Sequence, residues 1–316
     1  PFEEAAILTV DGVGEWATTA VGFGKGDIVR LDRQIDFPHS LGLFYSTITA
    51  YLGFKVNSDE YKVMGLAAYG DSKSFQRQMD GLISQFRDGS YALNMKYFDY
   101  VWADHMPSKN MTALFGLPIR KEKDEIQREH ENIAAAAQHK LEQVVFNLLN
   151  SSYKKYKIPR LCLGGGVALN SVLNGKILSQ TPFKEIYITP DPGDGGGALG
   201  AALQIWYEAK KPGVEIKKQA TFTPYLGPEF SNPQIEKALR CFPIKYRYFP
   251  DTNKLIDLVS RYLSEEKVIG WFQGRMEWGP RALGNRSILA SASRVEMKDI
   301  INSRIKKREP FRPFAP

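Results

Sequence analysis

The hydrophobic positions in the first part of the chain alternate between strand-like runs and a helical period. Residues 4–10 form an apolar run rich in β-forming side chains, which breaks at the DGVGE segment 11–15 before strand character resumes at 16–23. Residues 39–54 then place apolar side chains three and four positions apart, as an amphipathic helix does. The pattern predicts a β-hairpin with a helix packed on its sheet.

A regular alternation of helices and strands follows a segment without a clear period. Residues 70–123 show only mixed short signals and are interpreted as an elaboration outside the core. A strong apolar stripe over 124–153 predicts a long helix that Pro159 ends. The alternation after it predicts an α/β layer fold. Its predicted elements are a strand at 160–163, a helix at 167–178, a strand at 185–188 and a helix at 198–206.

A second unit is predicted beyond a linker. Residues 210–230 are rich in Lys, Pro, Gly and Thr without a sustained period, which is typical of a linker. We therefore predict a first domain over residues 1–221, followed over residues 222–316 by the linker and the second domain. The second unit is predicted to contain helices at 232–240, 251–264 and 295–305 and strands at 244–248, 267–272 and 286–290.

Charge and cysteine content narrow the functional classes. The 42 Lys and Arg residues exceed the 35 Asp and Glu residues by seven, and the one tight basic cluster lies at 306–308. This modest excess favours local anion binding over a nucleic-acid surface. Two distant cysteines support neither a disulfide framework nor a zinc knuckle, and a reducing cytoplasm is the default location. The longest uncharged stretch, 37–54, contains too many polar residues for a membrane span.

Three glycine-rich loops each follow an apolar strand. They are DGVGE at 11–15, GGGVALN at 164–170 and PDPGDGGGA at 190–198. Glycines let a nucleotide approach the backbone, and a helix N-terminus offers free N–H groups to phosphate. Each loop taken alone has an equally good explanation that involves no ligand. The first could be an ordinary turn and the second a tight strand-to-helix connection. In the third, Asp191 could be a turn former and Asp194 a helix N-cap. Together they favour nucleotide binding.

The densest chemical signal lies in the second unit. The segment GRMEWGPRALGNRS at 274–287 alternates arginines with Trp, Pro and Gly, and further cations follow at 306–308 and Arg312. Guanidinium groups bind phosphate or carboxylate through two parallel hydrogen bonds. The segment is too stiff and apolar for a plain surface loop, so we predict an anion pocket.

These motifs resemble the carbamoyltransferase family of nodulation and antibiotic-tailoring enzymes, which includes the tobramycin and cephem O-carbamoyltransferases. The matching strings span nearly the whole chain in the order of the family. They are LTVDGVGEW (8–16), GLFYSTITAYLGF (42–54), EYKVMGLAAYGD (60–71), LCLGGGVALN (161–170), DPGDGGGALGAAL (191–203), GRMEWGPRALGNRSILA (274–290) and REPFRPFAP (308–316).

The resemblance implies a fold, a reaction and a set of site residues. The fold would be an actin-like ATPase (ribonuclease H-like) domain followed by part of a YrdC-like domain. Carbamoyl phosphate and ATP would give carbamoyl-adenylate, and the carbamoyl group would pass to a hydroxyl of a small molecule. The matching motifs imply that Arg281, Lys306 and Arg312 bind carbamoyl phosphate and that Asp194 is a metal ligand. They also imply that the nucleotide loops include Gly12, Gly14, Gly165, Gly166 and Asn170, and that Lys62 lies near the nucleotide.

The resemblance also implies a metal, and it leaves alternatives. The family has histidine metal ligands just upstream of Pro1, so we expect the chain to be a piece of a longer protein in which a divalent metal, iron or zinc, accompanies magnesium for ATP. The four histidines present form no close HxxxH pair and are expected to be surface or core residues. A tRNA-modifying (threonylcarbamoyladenosine-type) or nucleotide-binding module is the alternative, although the weak basic charge argues against it. A sugar kinase leaves residues 274–287 unexplained.

Overall fold

The computed structural model describes residues 1–209 and 223–315, and the chain separates into two compact units, 1–220 and 221–316. Both units combine helices with β-sheet, so the chain is a mixed α/β protein. The part of the predicted linker at 210–222 falls outside the described residues. Within the described residues, no helix is both long and apolar enough to cross a membrane.

A five-stranded mixed sheet forms the centre of the first unit. Its strand order is β3-β2-β1-β6-β7, with the first three strands antiparallel and β1, β6 and β7 parallel. The inner strand β1 buries its apolar side chains, and Leu8 is fully buried. The strands are Glu4–Gly14 (β1), Ala17–Lys25 (β2), Ile28–Asp36 (β3), Arg160–Gly164 (β6) and Glu185–Ile188 (β7).

The predicted hairpin is confirmed, but the sequence pattern missed its third strand. Strand β3 pairs with β2 along the outer edge of the sheet, where Ile28, Val29 and Leu31 remain exposed. Because both faces of this edge strand carry polar or exposed side chains, it lacks the alternating burial by which a strand is recognised. Pairing with β2 therefore decides its conformation.

Two helices cover the sheet, and the packing of the first of them was predicted. Helices α1 (Leu41–Tyr51) and α5 (Arg128–Tyr156) pack against β1 and β2. Ser40 caps α1, since its side chain accepts the backbone N–H of Leu43. Helix α6 (Ser171–Gln180) follows β6 after a 3₁₀ turn at Gly166–Leu169, and α7 (Asp194–Glu208) follows β7. Helix α7 thus begins four residues before the predicted start.

The segment predicted as an elaboration contributes to the core, so that interpretation is wrong in part. Met79, Leu82, Phe98 and Met111 are all buried. The segment is built from short elements, which explains why no long period marks it. These elements and the helix before them are α2 (Glu60–Leu66) with a 3₁₀ turn (Ala67–Tyr69), α3 (Gln76–Leu82), β4 (Ile83–Gln85), β5 (Tyr91–Leu93), a 3₁₀ turn (Met95–Tyr97) and α4 (Lys109–Phe115).

The second unit is a small hairpin sheet with helices, and it corrects two predictions. Residues 244–248, all described, form no strand, because no strand pairs with them and their apolar side chains are exposed. The helix predicted over 295–305 is instead a short helix that continues into a π-helical turn. The elements are α8 (Asn232–Leu239), α9 (Thr252–Ser264), β8 (Ile269–Phe272), β9 (Arg286–Leu289), α10 (Met297–Ile300) and the π-helical turn Ile301–Lys306.

Candidate functional site

The three glycine loops meet at one edge of the first unit's sheet. Strands β1, β6 and β7 are parallel, so their carboxyl ends lie side by side. Thr9 of β1 stands opposite Gly164 of β6, which aligns the start of the first loop with the start of the second. In an α/β sheet this carboxyl edge is the usual position of a ligand site.

Gly165 joins the three loops to one another. A β-carbon at this position would lie 2.2 Å from the carbonyl oxygen of Val10, so the second loop touches the backbone of β1 directly. Gly165 has φ +87°, a conformation that other residues rarely adopt. Its N–H donates to the carbonyl oxygen of Pro192 in the third loop, at 2.8 Å. Only glycine satisfies all three conditions at this position.

The first loop is held by the beginning of α1. Ser40 Oγ donates to the carbonyl oxygen of Asp11 at 2.9 Å, in addition to capping the helix. Asp11 Oδ1 accepts the N–H of Gly12 at 2.7 Å and lies 3.1 Å from where a β-carbon on Gly166 would be. The Asp11 carboxylate therefore faces the second loop. Gly14 is exposed at the hairpin end, where it pairs with Ala17.

The third loop folds tightly against the start of α7. A β-carbon on Gly195 would lie 2.0 Å from Asp191 Oδ2, and one on Gly196 would lie 2.0 Å from the Asp191 carbonyl oxygen. Gly193 is the N-cap of α7, so the interpretation of Asp194 as the N-cap is wrong. Asp194 is exposed in the first turn, where a negative charge is favoured by the helix dipole.

Two further predicted residues, Asn170 and Lys62, already have partners inside the protein. Asn170 is buried and caps α6, because its side-chain oxygen accepts the N–H of Leu173 at 3.0 Å. Lys62 on α2 pairs with Asp59 at 3.1 Å, and its ammonium group lies 5.7 Å from the centre of the Phe54 ring. Neither side chain points to a nucleotide role by geometry alone, and both assignments stay predictions.

The described residues supply close glycine contacts between the loops but no preformed group of metal ligands. A β-carbon on Gly165 would collide with the Val10 backbone and one on Gly195 with the Asp191 carboxylate, so these glycines allow close packing. By contrast, across residues 1–209 and 223–315 no three His, Cys, Asp or Glu side chains group together in a way that could hold a metal. The histidines already have local partners: His39 accepts the N–H of Leu93, His130 accepts that of Gln127, His105 contacts Asp99 and His139 contacts Gln143.

Glu277 organises the predicted anion loop of the second unit. Its Oε1 accepts backbone N–H groups from Leu283 at 2.8 Å, Asn285 at 2.8 Å and Arg286 at 3.2 Å. Desolvation tends to raise the pKa of Glu277, but these hydrogen bonds outweigh it and lower the pKa to about 2. Glu277 is not among the residues predicted for the site. The signal that could have found it is a carboxylate followed by glycines that can turn several N–H groups inward.

The three predicted cations lie on two segments of the second unit. Arg281 is exposed in the loop between β8 and β9, within the segment that Glu277 closes. Lys306 ends the π-helical turn and is exposed, and Arg312 is half-buried with its guanidinium 3.5 Å from the Glu309 carboxylate. The buried Asn302 fixes this second segment by donating to the carbonyl oxygens of Pro310 and Arg312.

The Arg286 side chain forms hydrogen bonds to the backbone of its own loop. Its guanidinium donates to the carbonyl oxygens of Gln273 and Asn285, both at 2.7 Å, and to that of Gly274 at 3.2 Å. The same group lies over the ring of Phe272. Arg286 therefore holds the loop's own backbone, and the assignment of Arg281 to carbamoyl phosphate stays a prediction.

Replacing Gly165 tests whether loop contact depends on the missing β-carbon. We expect Gly165→Ala to lower the free energy of unfolding by more than about 1 kcal/mol, because the methyl group meets the Val10 backbone at positive φ. Gly175→Ala is the matched control, since a β-carbon there has nothing within 4 Å and lies in helix α6. The control should be neutral or slightly stabilising. Urea denaturation of both variants decides, and equal stability would contradict the assigned contact.

Titration tests the role of Glu277. A carboxyl group whose pKa falls from an ordinary 4.5 to about 2 on folding stabilises its loop fully above pH 4.5. That stabilisation is lost as pH falls from about 4.5 towards 2. We expect the Glu277 carboxyl carbon to titrate near the lower value by NMR, with the N–H signals of Leu283 and Asn285 following it. A midpoint at the ordinary value would contradict the hydrogen-bonded arrangement, and Glu277→Gln should abolish the coupled shift.

Comparison with known proteins agrees with this arrangement. The model of the carbamoyltransferase N-terminus matches residues 1–203, and that of the carbamoyltransferase C-terminus matches residues 260–316. A Synechocystis protein of uncharacterised function is 46% identical over the whole chain, which covers 52% of that protein. Nodulation protein NolO of Bradyrhizobium diazoefficiens is 36% identical, and nodulation protein NolNO of Sinorhizobium fredii 37%, over the whole chain and over 55% and 44% of their own lengths.

The chain thus spans about half the length of these curated relatives. Among solved structures, that of HypF from T. kodakarensis is similar over 65% of this chain and 35% of that one, at 13% identity and a TM-score of 0.30. The two family matches lie in the same order as the two compact units and together include the three glycine loops and the anion loop. The chain therefore belongs to the carbamoyltransferase family.

Proposed function

We propose that the protein is an ATP-dependent O-carbamoyltransferase of the cytoplasm. Residues 1–221 would be an actin-like ATPase domain and residues 222–316 the linker and first part of a YrdC-like domain. Overall, carbamoyl phosphate, ATP and one water would give carbamoyl-adenylate, phosphate and pyrophosphate. A hydroxyl oxygen of a small molecule would then attack the carbamoyl carbon, and AMP would leave with the bonding electrons. Membranes and nucleic acids are not among the proposed partners.

The convergence of the three glycine loops supports the nucleotide half of this proposal. Gly165 links all three loops, and Gly12 and Gly166 stand on either side of the Asp11 carboxylate. Phosphate groups of ATP would lie along the backbone of these loops and at the start of α7, where N–H groups and the helix dipole favour negative charge. Lys62, Gly14 and Asn170 would border the same nucleotide.

The cations of the second unit support the carbamoyl phosphate half. Arg281, Lys306 and Arg312 would neutralise the phosphate of carbamoyl phosphate and the charge that develops as phosphate leaves. Glu277 holds three N–H groups of the loop for itself, so the substrate anion would rely on these side chains. A fixed loop reduces the reorganisation that anion binding would otherwise require.

Pyrophosphate release tests the reaction. We expect the full-length protein to release pyrophosphate only when ATP and carbamoyl phosphate are both present. Arg281→Ala should raise the KM for carbamoyl phosphate about ten- to hundredfold, the usual effect of losing charge-assisted hydrogen bonds. Arg240→Ala is the control, because Arg240 is an exposed arginine of the same unit that pairs with Glu236. Pyrophosphate release without carbamoyl phosphate would contradict the reaction, and equal KM values would remove Arg281 from the site.

Metal content tests Asp194. Carboxylate oxygen with neutral imidazole is a ligand set that suits iron or zinc. We propose that Asp194 supplies one anionic ligand, with histidines upstream of residue 1 supplying the others, while magnesium accompanies ATP. We expect Asp194→Asn to lower the iron or zinc content of the full-length protein severalfold, whereas Asp99→Asn, at a carboxylate paired with His105, should leave it unchanged. Equal metal content in wild type and Asp194→Asn would refute the ligand role.

A further inference from the structure

A chain of buried polar side chains lies directly behind the second glycine loop. Gln138, in the middle of α5, and Asn170, at the end of the loop, are both buried and exchange two hydrogen bonds. Asn170 Nδ2 donates to Gln138 Oε1 at 2.8 Å, and Gln138 Nε2 donates to Asn170 Oδ1 at 3.1 Å. This pair connects the central helix of the unit to the loop.

The charge of Glu142 determines which way this amide pair points. Gln138 Nε2 also donates to Glu142 Oε1 at 2.9 Å, and Lys176 holds both carboxylate oxygens of Glu142 at 2.8 and 2.7 Å. A carboxylate accepts only, so the amide nitrogen of Gln138 must face it. The amide oxygen of Gln138 then faces Tyr45, whose hydroxyl donates to it at 2.9 Å.

The same orientation fixes the loop. With Gln138 Oε1 directed to Asn170 Nδ2, the Asn170 oxygen is left to accept the N–H of Leu173 and cap α6. The 3₁₀ turn Gly166–Leu169 lies between this cap and Gly165, so it is held at both ends. If the Gln138 amide were reversed, its nitrogen would face Asn170 Nδ2 and its oxygen would face the Glu142 carboxylate. Both hydrogen bonds would be lost, which is costly in a buried site.

We infer that Gln138, oriented by Glu142, is a positioning residue for the nucleotide loop and that Asn170 acts on the nucleotide by fixing that loop rather than through its own amide. This inference rests on the proposed nucleotide binding. The Asn170 side chain is buried, its oxygen accepts from Leu173 and Gln138, and one of its two N–H groups donates to Gln138. Preorganised N–H groups bind phosphate without a further cost of ordering.

Three variants separate positioning from general stability. Gln138→Leu removes the amide, and Asn170→Asp keeps an equally good N-cap but loses the donor to Gln138. Lys140→Met is the control, because Lys140 is buried on the same helix and pairs instead with Asp80 at 2.8 Å. A residue that only stabilises the fold would behave as this control does.

Two measurements are made at a temperature where circular dichroism shows all variants folded. Amide hydrogen exchange reports on residues 165–170, and calorimetry gives the Kd of a non-hydrolysable ATP analogue. In Gln138→Leu and Asn170→Asp we expect loop exchange to be about tenfold faster and the analogue to bind about tenfold more weakly. Lys140→Met should change neither.

The outcomes distinguish this inference from the proposed function. If Lys140→Met weakens the analogue as much as Gln138→Leu does, or if both loop variants match wild type, the positioning role is overturned. If the wild type binds no analogue, the proposed nucleotide site fails. Loop exchange then still decides whether Gln138 orders the loop, because that measurement needs no ligand.

Discussion

The contact between Gly165 and the backbone of Val10 is the constraint on which the candidate site depends. Parallel pairing brings the carboxyl ends of β1 and β6 to one edge, but an ordinary side chain would keep their loops apart. Because Gly165 lacks a β-carbon and adopts positive φ, its loop touches the β1 backbone and still donates to Pro192. The close packing of the second loop against β1 and the third loop follows from this one approach.

Hydrogen bonds from neighbouring polar groups hold the glycine loops in place. Glycine loops carry a high conformational entropy, so a ligand site built on them needs external supports. Ser40 holds the first loop, Pro192 receives the second, and the Gln138–Asn170 pair holds its far end. Lys176 is half exposed, so the burial of the Glu142 charge is partly relieved by solvent at its partner. Glu142 can therefore orient the Gln138–Asn170 pair while its own charge remains paired with Lys176.

In the second unit, a carboxylate holds the loop at 274–287 together. The loop carries Arg275, Arg281 and Arg286, whose like charges repel one another. Glu277 gathers three backbone N–H groups and adds a negative charge to the same loop, while Arg286 binds carbonyl oxygens. The backbone polar groups of the loop are thereby used internally. In the proposed function, the first unit would therefore offer anions its backbone, and the second its guanidinium and ammonium groups.

The sequence alone determined the elements whose pattern is local. The hairpin β1–β2, the long helix α5 and the strands before each glycine loop follow from apolar periodicity, and the motif strings identified the family. Tertiary structure alone decided β3, whose conformation comes from pairing with β2, and the irregular course of 244–248, which lacks a strand partner within the described residues. It also decided the roles of Glu277 and Gln138, because their hydrogen bonds join residues that are close only once the chain has folded.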